Sequence, residues 1–247
     1  PIGGLLYGLF GISVAYITDV ALVLAGLILI LSVAPRAVPP STQEEDVLEK
    51  IKAGLRFVFH NKIVLSAISL YLFAVLFGGA VALLPIFADE ILHVGKIGLG
   101  FLRAAPGVGA VLMALYLVHR PIQKNMGKIL LYCVAGFGVC MILFGLSTSF
   151  WISMFLLMMS GVFDCVSVII RGTLLQTLTP ENMKGRVSAV NNIFIGSSNE
   201  IGMFESGVAA RFMGTVPAVI LGGFLTIGVV SITGWLSKSL RTLQRVE

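Results

Sequence analysis

Seven apolar runs dominate this chain, at roughly 11–32, 63–87, 98–118, 128–147, 151–173, 187–210 and 215–237. A helix needs about 20 apolar residues to cross a hydrocarbon core. Inside lipid every backbone amide must find its partner within the segment, so runs of this length leave helices as the simplest solution. Composition agrees: 57% of the residues are hydrophobic and 12% charged, against about 25% charged in soluble domains. The 28 glycines suit helices packed backbone to backbone. The expected fold is all-α and polytopic, with about seven transmembrane helices and a truncated eighth at residues 1–8.

Pro1 opens inside an apolar stretch without an initiator Met or a basic leader, so the chain is expected to be an internal piece of a longer protein. One connection is long, 33–62, and divides it. The expected domains are 1–32 (the last helix of an N-terminal half and a remnant before it), 33–62, a six-helix bundle at 63–238, and a tail at 239–247. Pro35, Pro39 and Pro40 stop the preceding helix. Ser41 to Glu44 form a capping-box pattern. Val47, Leu48, Ile51, Leu55, Val58 and Phe59 then recur at helical spacing, which predicts an amphipathic helix lying on the membrane surface.

Fourteen of the Lys and Arg residues fall on one side of this layout, Arg171 among them, against Lys96, Arg103 and Arg211 on the other. By the positive-inside rule the long connection and the C-terminus are cytoplasmic. The net charge of +5 sits between spans, so nucleic acid is not an expected partner. The expected partners are the lipid bilayer, a small-molecule substrate and protons. No G-x-x-x-x-G-K-[ST] motif occurs. His60, His93 and His119 lie at span borders, and Cys133, Cys140 and Cys165 lack metal-ligand spacing. No cofactor, metal or enzymatic activity is expected.

Ionisable residues at bilayer depth are costly and point to function. Asp19, Asp164 and Glu200 fall near the centres of their spans, Glu205 and Arg103 nearer an edge. A carboxyl removed from water binds a proton more readily, so Glu200, Asp164 and Asp19 are the proton-coupling candidates. On this reading Glu200→Gln removes pH-driven efflux. Such acids also tie helices together, and that alternative stays open. Along 187–210, Ser188, Asn192, Gly196, Asn199 and Ser206 keep one face small and polar. This stripe either lines a substrate path or lets a neighbour pack closely. Ahead of it lies a polar hinge, Gln176 to Arg186, in which Gln176, Lys184, Gly185 and Arg186 are candidate gate or anchor residues. Pro85, Pro106 to Gly109, and Gly222-Gly223 are candidate bends.

Several runs together resemble the Major Facilitator Superfamily, in particular the bacterial branch of enterobactin exporters and drug–proton antiporters. They are Pro1 to Tyr7, Leu84 to Leu92, Gly98 to Gly109, and Arg171 to Gln176 with Pro180, Gly185 to Val187 and the Ser197–Gly207 helix. The resemblance implies that residues 11–32 form the sixth helix and 63–237 helices seven to twelve. It also implies alternating access between two six-helix halves, with the N-terminal half of the same transporter as partner. The counterpart of the family's cytoplasmic signature falls at His119 to Lys128, where Gly127 and Lys128 fit and the aspartate is missing. The reading is a proton-coupled inner-membrane exporter of amphiphilic molecules, siderophore or drug in type. The spans 63–87 and 128–147 carry almost no charged or amide side chains, which suits a greasy substrate. The rivals are a facilitator or importer of a small metabolite, and a non-transporting membrane sensor or assembly protein.

Overall fold

In a computed structural model, residues 6, 9–33, 47–78, 80–122 and 124–241 are described. The run Pro1 to Tyr7 (save Leu6), the prolines and capping box of 34–46, and Arg245 in the tail lie outside them.

The chain is a helical bundle. Its helices are α1 (Ile12–Leu31), α2 (Val47–His60), α3 (Lys62–Phe77), α4 (Gly95–His119), α5 (Met126–Leu146), α6 (Phe150–Leu178), α7 (Lys184–Met213) and α8 (Thr215–Leu236). Among the described residues six segments are long and apolar enough to span a membrane: α1, Lys62–Ile91 (α3 with its continuation), α4, α5, α6 and α8. The seventh expected span is α7. At 30 residues it is long enough, since about 20 suffice, but its Ser, Asn and Glu residues make it too polar to join the six. It packs into the bundle against α3, α8 and α2.

Local chemistry sets the breaks. The Asn61 side chain caps α3 by accepting from the amides of Ile63 and Val64 at 3.1 and 3.2 Å. Gly214, at φ 90°, takes the chain from α7 into α8 through a conformation that suits a residue without Cβ. The helix predicted over 63–87 is interrupted earlier than Pro85, at Gly78. Beyond it come a 3₁₀ turn (Ala80–Leu83), a single α turn and a π turn (Phe87–Ile91). Pro106 sits inside a continuous α4.

Glycines join the helices in pairs. A Cβ at Gly109 of α4 would overlap the Met158 carbonyl oxygen of α6, and one at Gly161 of α6 would overlap the Pro106 carbonyl oxygen of α4. Gly222 of α8 meets the Phe77 carbonyl in the same way, and Gly223 faces Gly138 of α5. The Gly222-Gly223 pair, expected as a bend, is therefore a close-packing contact within an unbroken α8.

Three apolar clusters fill the bundle. One is centred on Leu84, Phe87, Leu102, Phe144 and Leu157, with the Phe87 and Phe144 rings 4.6 Å apart. The second is built on Leu70, Leu130, Ile170, Leu174 and Leu240. Leu240, expected in the cytoplasmic tail, is fully buried. The third joins Val58 of α2 to Val64, Ile68, Val187 and Val190. The amphipathic helix expected on the bilayer surface thus spends part of its apolar face covering the ends of α3 and α7. Phe59 stays exposed. No residue of α1 is buried.

Candidate functional site

The bundle holds a half-open cavity of about 450 Å³ to which five helices contribute. Tyr71, Val75 and Gly78 come from α3 and its end, Pro106, Gly107 and Ala110 from α4, and Phe137 and Met141 from α5. From α6 come Leu157, Ser160, Gly161 and Asp164, and from α7 Asn199 and Met203. Its glycines and alanine are there for a physical reason. Gly161 and the Pro106 backbone already touch, so two helices meet without side chains between them and leave room beside the crossing. The lining is mostly apolar, and its polar groups are few: the Tyr71 phenol, the Ser160 hydroxyl, the Asp164 carboxyl and the Asn199 amide. Such a site is shaped for a ligand with a large apolar surface and a small number of polar anchors.

One of those anchors has a charged neighbour. Arg171, two turns along α6 from Asp164, is 3% exposed. Its guanidinium carbon lies 3.3 Å from the centroid of the Tyr71 ring, a close cation–π stack. Its Nη1 atom has no hydrogen-bond partner, nor does the buried Ser167 hydroxyl between the two. Sequence reasoning placed Arg171 among the topology anchors because it ends an apolar run. The structure buries it inside the bundle instead. The signal that could have found it was the spacing of Asp164, Ser167 and Arg171, which puts all three on one helical face. Nothing in the sequence pointed to Tyr71.

Of the residues expected to matter, Asp164 and Asn199 are brought together in the cavity wall. Glu200 is exposed. It lies about 160° round α7 from Gly202, whose backbone packs on the Val75 and Leu76 carbonyls. Ser188 and Asn192 are also exposed, while Ser206 is buried. The stripe therefore divides: Asn199 reaches the cavity, and Ser206 packs. Asp19 is exposed on α1, apart from the cavity. Glu205 is half-buried.

The hinge is shorter than expected. α6 continues through Gln176 to Leu178, and only Thr179, Pro180 and a 3₁₀ turn (Glu181–Met183) separate it from α7. Gln176 is exposed. Lys184 donates to Glu181 Oε1 at 2.6 Å. Arg186 lies beside Glu49, Lys52 and Arg56 of α2, and its backbone touches Gly54. Asn125, with φ 55°, precedes α5, and Met126 and Gly127 are buried there. Among the described residues no cluster of three or more His, Cys, Asp or Glu side chains is present.

The profile of the Major Facilitator Superfamily matches residues 1–203. The chain belongs to the Major Facilitator Superfamily. It is 30% identical over 232 residues to proteins named enterobactin exporter EntS from Shigella dysenteriae serotype 1 (strain Sd197) and from Escherichia coli O1:K1. In both cases 93% of this chain is matched to 55% of the relative, so the chain spans about half the length of those curated relatives. Its helical layout, with segments of membrane-spanning length, is that of a half-bundle of this superfamily.

Proposed function

We propose that this chain is the C-terminal half of a bacterial inner-membrane secondary transporter that exports amphiphilic small molecules in exchange for protons. The observation that carries the reading is Asp164 in the wall of a 450 Å³, mainly apolar cavity. A titratable group beside the space for a substrate is what antiport needs, because substrate and proton then compete for one region. Asp164 is the proton carrier, in preference to Glu200 and Asp19, which do not line the cavity. Asn199 and Ser160 are the substrate's hydrogen-bonding contacts. The relatives named enterobactin exporters support efflux and a siderophore-sized amphiphile.

The half-bundle supports an alternating-access reading, in which the cavity closes against the N-terminal half of the same protein and the two halves rock about it. The long connection and the C-terminus are on the cytoplasmic side, as the Lys and Arg bias indicates. Gln176, Lys184, Gly185 and Arg186 sit at that side, where α6 gives way to α7, and act as gate or anchor residues.

The test uses the full-length protein in everted vesicles, with enterobactin as probe and an imposed pH gradient. Asp164→Asn abolishes gradient-driven movement while the protein is inserted at normal level, and Glu200→Gln leaves it unchanged. Normal coupling in the Asp164→Asn variant would sink the assignment.

A further inference from the structure

Asp164, Ser167 and Arg171 form a column on α6, three and four residues apart. Side chains on a helix lean toward its N-terminus, so Arg171 leans toward Ser167 and Asp164. Two turns, about 10.5 Å of rise, separate the ends, and no ion pair within 4.0 Å joins Asp164 to Arg171. A second, small void of about 20 Å³ touches Asp164, Ser167 and Tyr71. A single water needs about 10–15 Å³ and two or more polar partners, so this void has room for one.

A guanidinium keeps its proton in any protein environment. Buried at 3% exposure in a membrane bundle, its charge requires an answering charge. The Tyr71 stack supplies a quadrupole and no charge. The titratable groups that face this region from the neighbouring helices are Tyr71 of α3 and Cys133 of α5, and neither ordinarily ionises near neutral pH. Among the described residues Asp164 is the carboxylate that lines either the cavity or the void.

We infer that Arg171 is the fixed counter-charge of Asp164, coupled to it through Ser167 and one water held in the small void. It is a positioning residue: stacked on Tyr71, it stays charged while Asp164 gains and loses its proton. With Asp164 ionised the column is neutral. With Asp164 protonated the column carries one unanswered positive charge. The coupling role of that proton rests on the proposed antiport, whereas the pairing of the two charges does not.

The test is a double-mutant cycle on the full-length transporter, read as thermal unfolding midpoint in detergent. Arg171→Gln leaves a buried carboxylate unanswered and lowers the midpoint by about 5 °C or more. Adding Asp164→Asn to it restores at least half of the loss, because the column is neutral again. Arg171→Lys, which can still carry a charge but gives up the planar stack on Tyr71, loses less than Arg171→Gln. An equal loss from Arg171→Gln in the parent and in the Asp164→Asn background overturns the pairing. Should Arg171→Gln not fold at all, recovery of folded protein in the double variant supports the pairing. If the double variant fails as well, the Arg171→Lys comparison decides: a midpoint unaffected by Asp164→Asn in that background rejects the idea. Non-additivity together with normal pH-driven efflux in Asp164→Asn retains the charge pair and rejects the proton-carrier role alone.

Discussion

α6 and α7 are nearly equal in length, 29 and 30 residues, and each carries a series of polar side chains, yet the bundle treats them oppositely. α6 turns its series inward: Ser153, Ser160, Ser167 and Arg171 are all buried, and Asp164 borders the cavity. α7 leaves Ser188, Asn192, Asn199 and Glu200 exposed and packs with Val187, Val190, Ser198 and Gly202. Polar composition alone therefore does not mark the site. What matters is which face the neighbouring helices claim: α4 and α5 pack along α6, whereas α7 is held by α3, α8 and α2.

Glycine offers the sharpest way to break this comparison. Gly161→Ala in α6 places a Cβ on the Pro106 carbonyl oxygen, and overpacking of this kind costs about 1–3 kcal/mol or more. Gly196→Ala in α7 meets nothing within 4 Å and gains up to about 1 kcal/mol from helix propensity. Detergent melting curves of the full-length protein should move down for the first and level or up for the second. The carboxyls come next. In pH-gradient efflux assays Asp164→Asn should be inactive, whereas Glu200→Gln should stay within about twofold of the parent, as exposed substitutions generally do. Equal defects would erase the distinction between the helices.

The amides and hydroxyls give smaller effects. Asn199→Leu removes the hydrogen bond proposed for the substrate, worth about 1 kcal/mol, and should weaken apparent substrate affinity about fivefold. Asn192→Leu, on the same face two turns away but outside the cavity lining, should leave affinity alone. Smallest of all is Lys184→Ala. It removes an exposed ion pair to Glu181, worth about 0.2–1 kcal/mol, and the melting point should barely move.

Much of the helical layout could be read from the chain, because apolar runs of spanning length admit few alternatives. The helix ends could not. α6 extends to Leu178 and α7 begins at Lys184, beyond the apolar runs, since backbone hydrogen bonding continues where the side chains become polar. The amphipathic character of α2 was legible, but its partner was not: Val58 meets Val187 and Val190, nearly 130 residues on. Asp164 was visible as an acid at depth. Its separation from Glu200 was not, because a helix read alone shows its stripes and not which of them a neighbour covers. Arg171 was misread for the same reason. A basic residue at the end of an apolar run has the same signature whether it faces water or a tyrosine ring.

The crossing of α4 and α6 at Gly109 and Gly161 carries a mechanical consequence. Where two backbones touch directly, there are no rotamers to rearrange, and the joint behaves as a weld between two beams. Two walls of the cavity must then travel as one plate. Gly78, which also lines that space, ends α3, and the chain beyond it runs through short turns of differing pitch. The plate gives the site its shape.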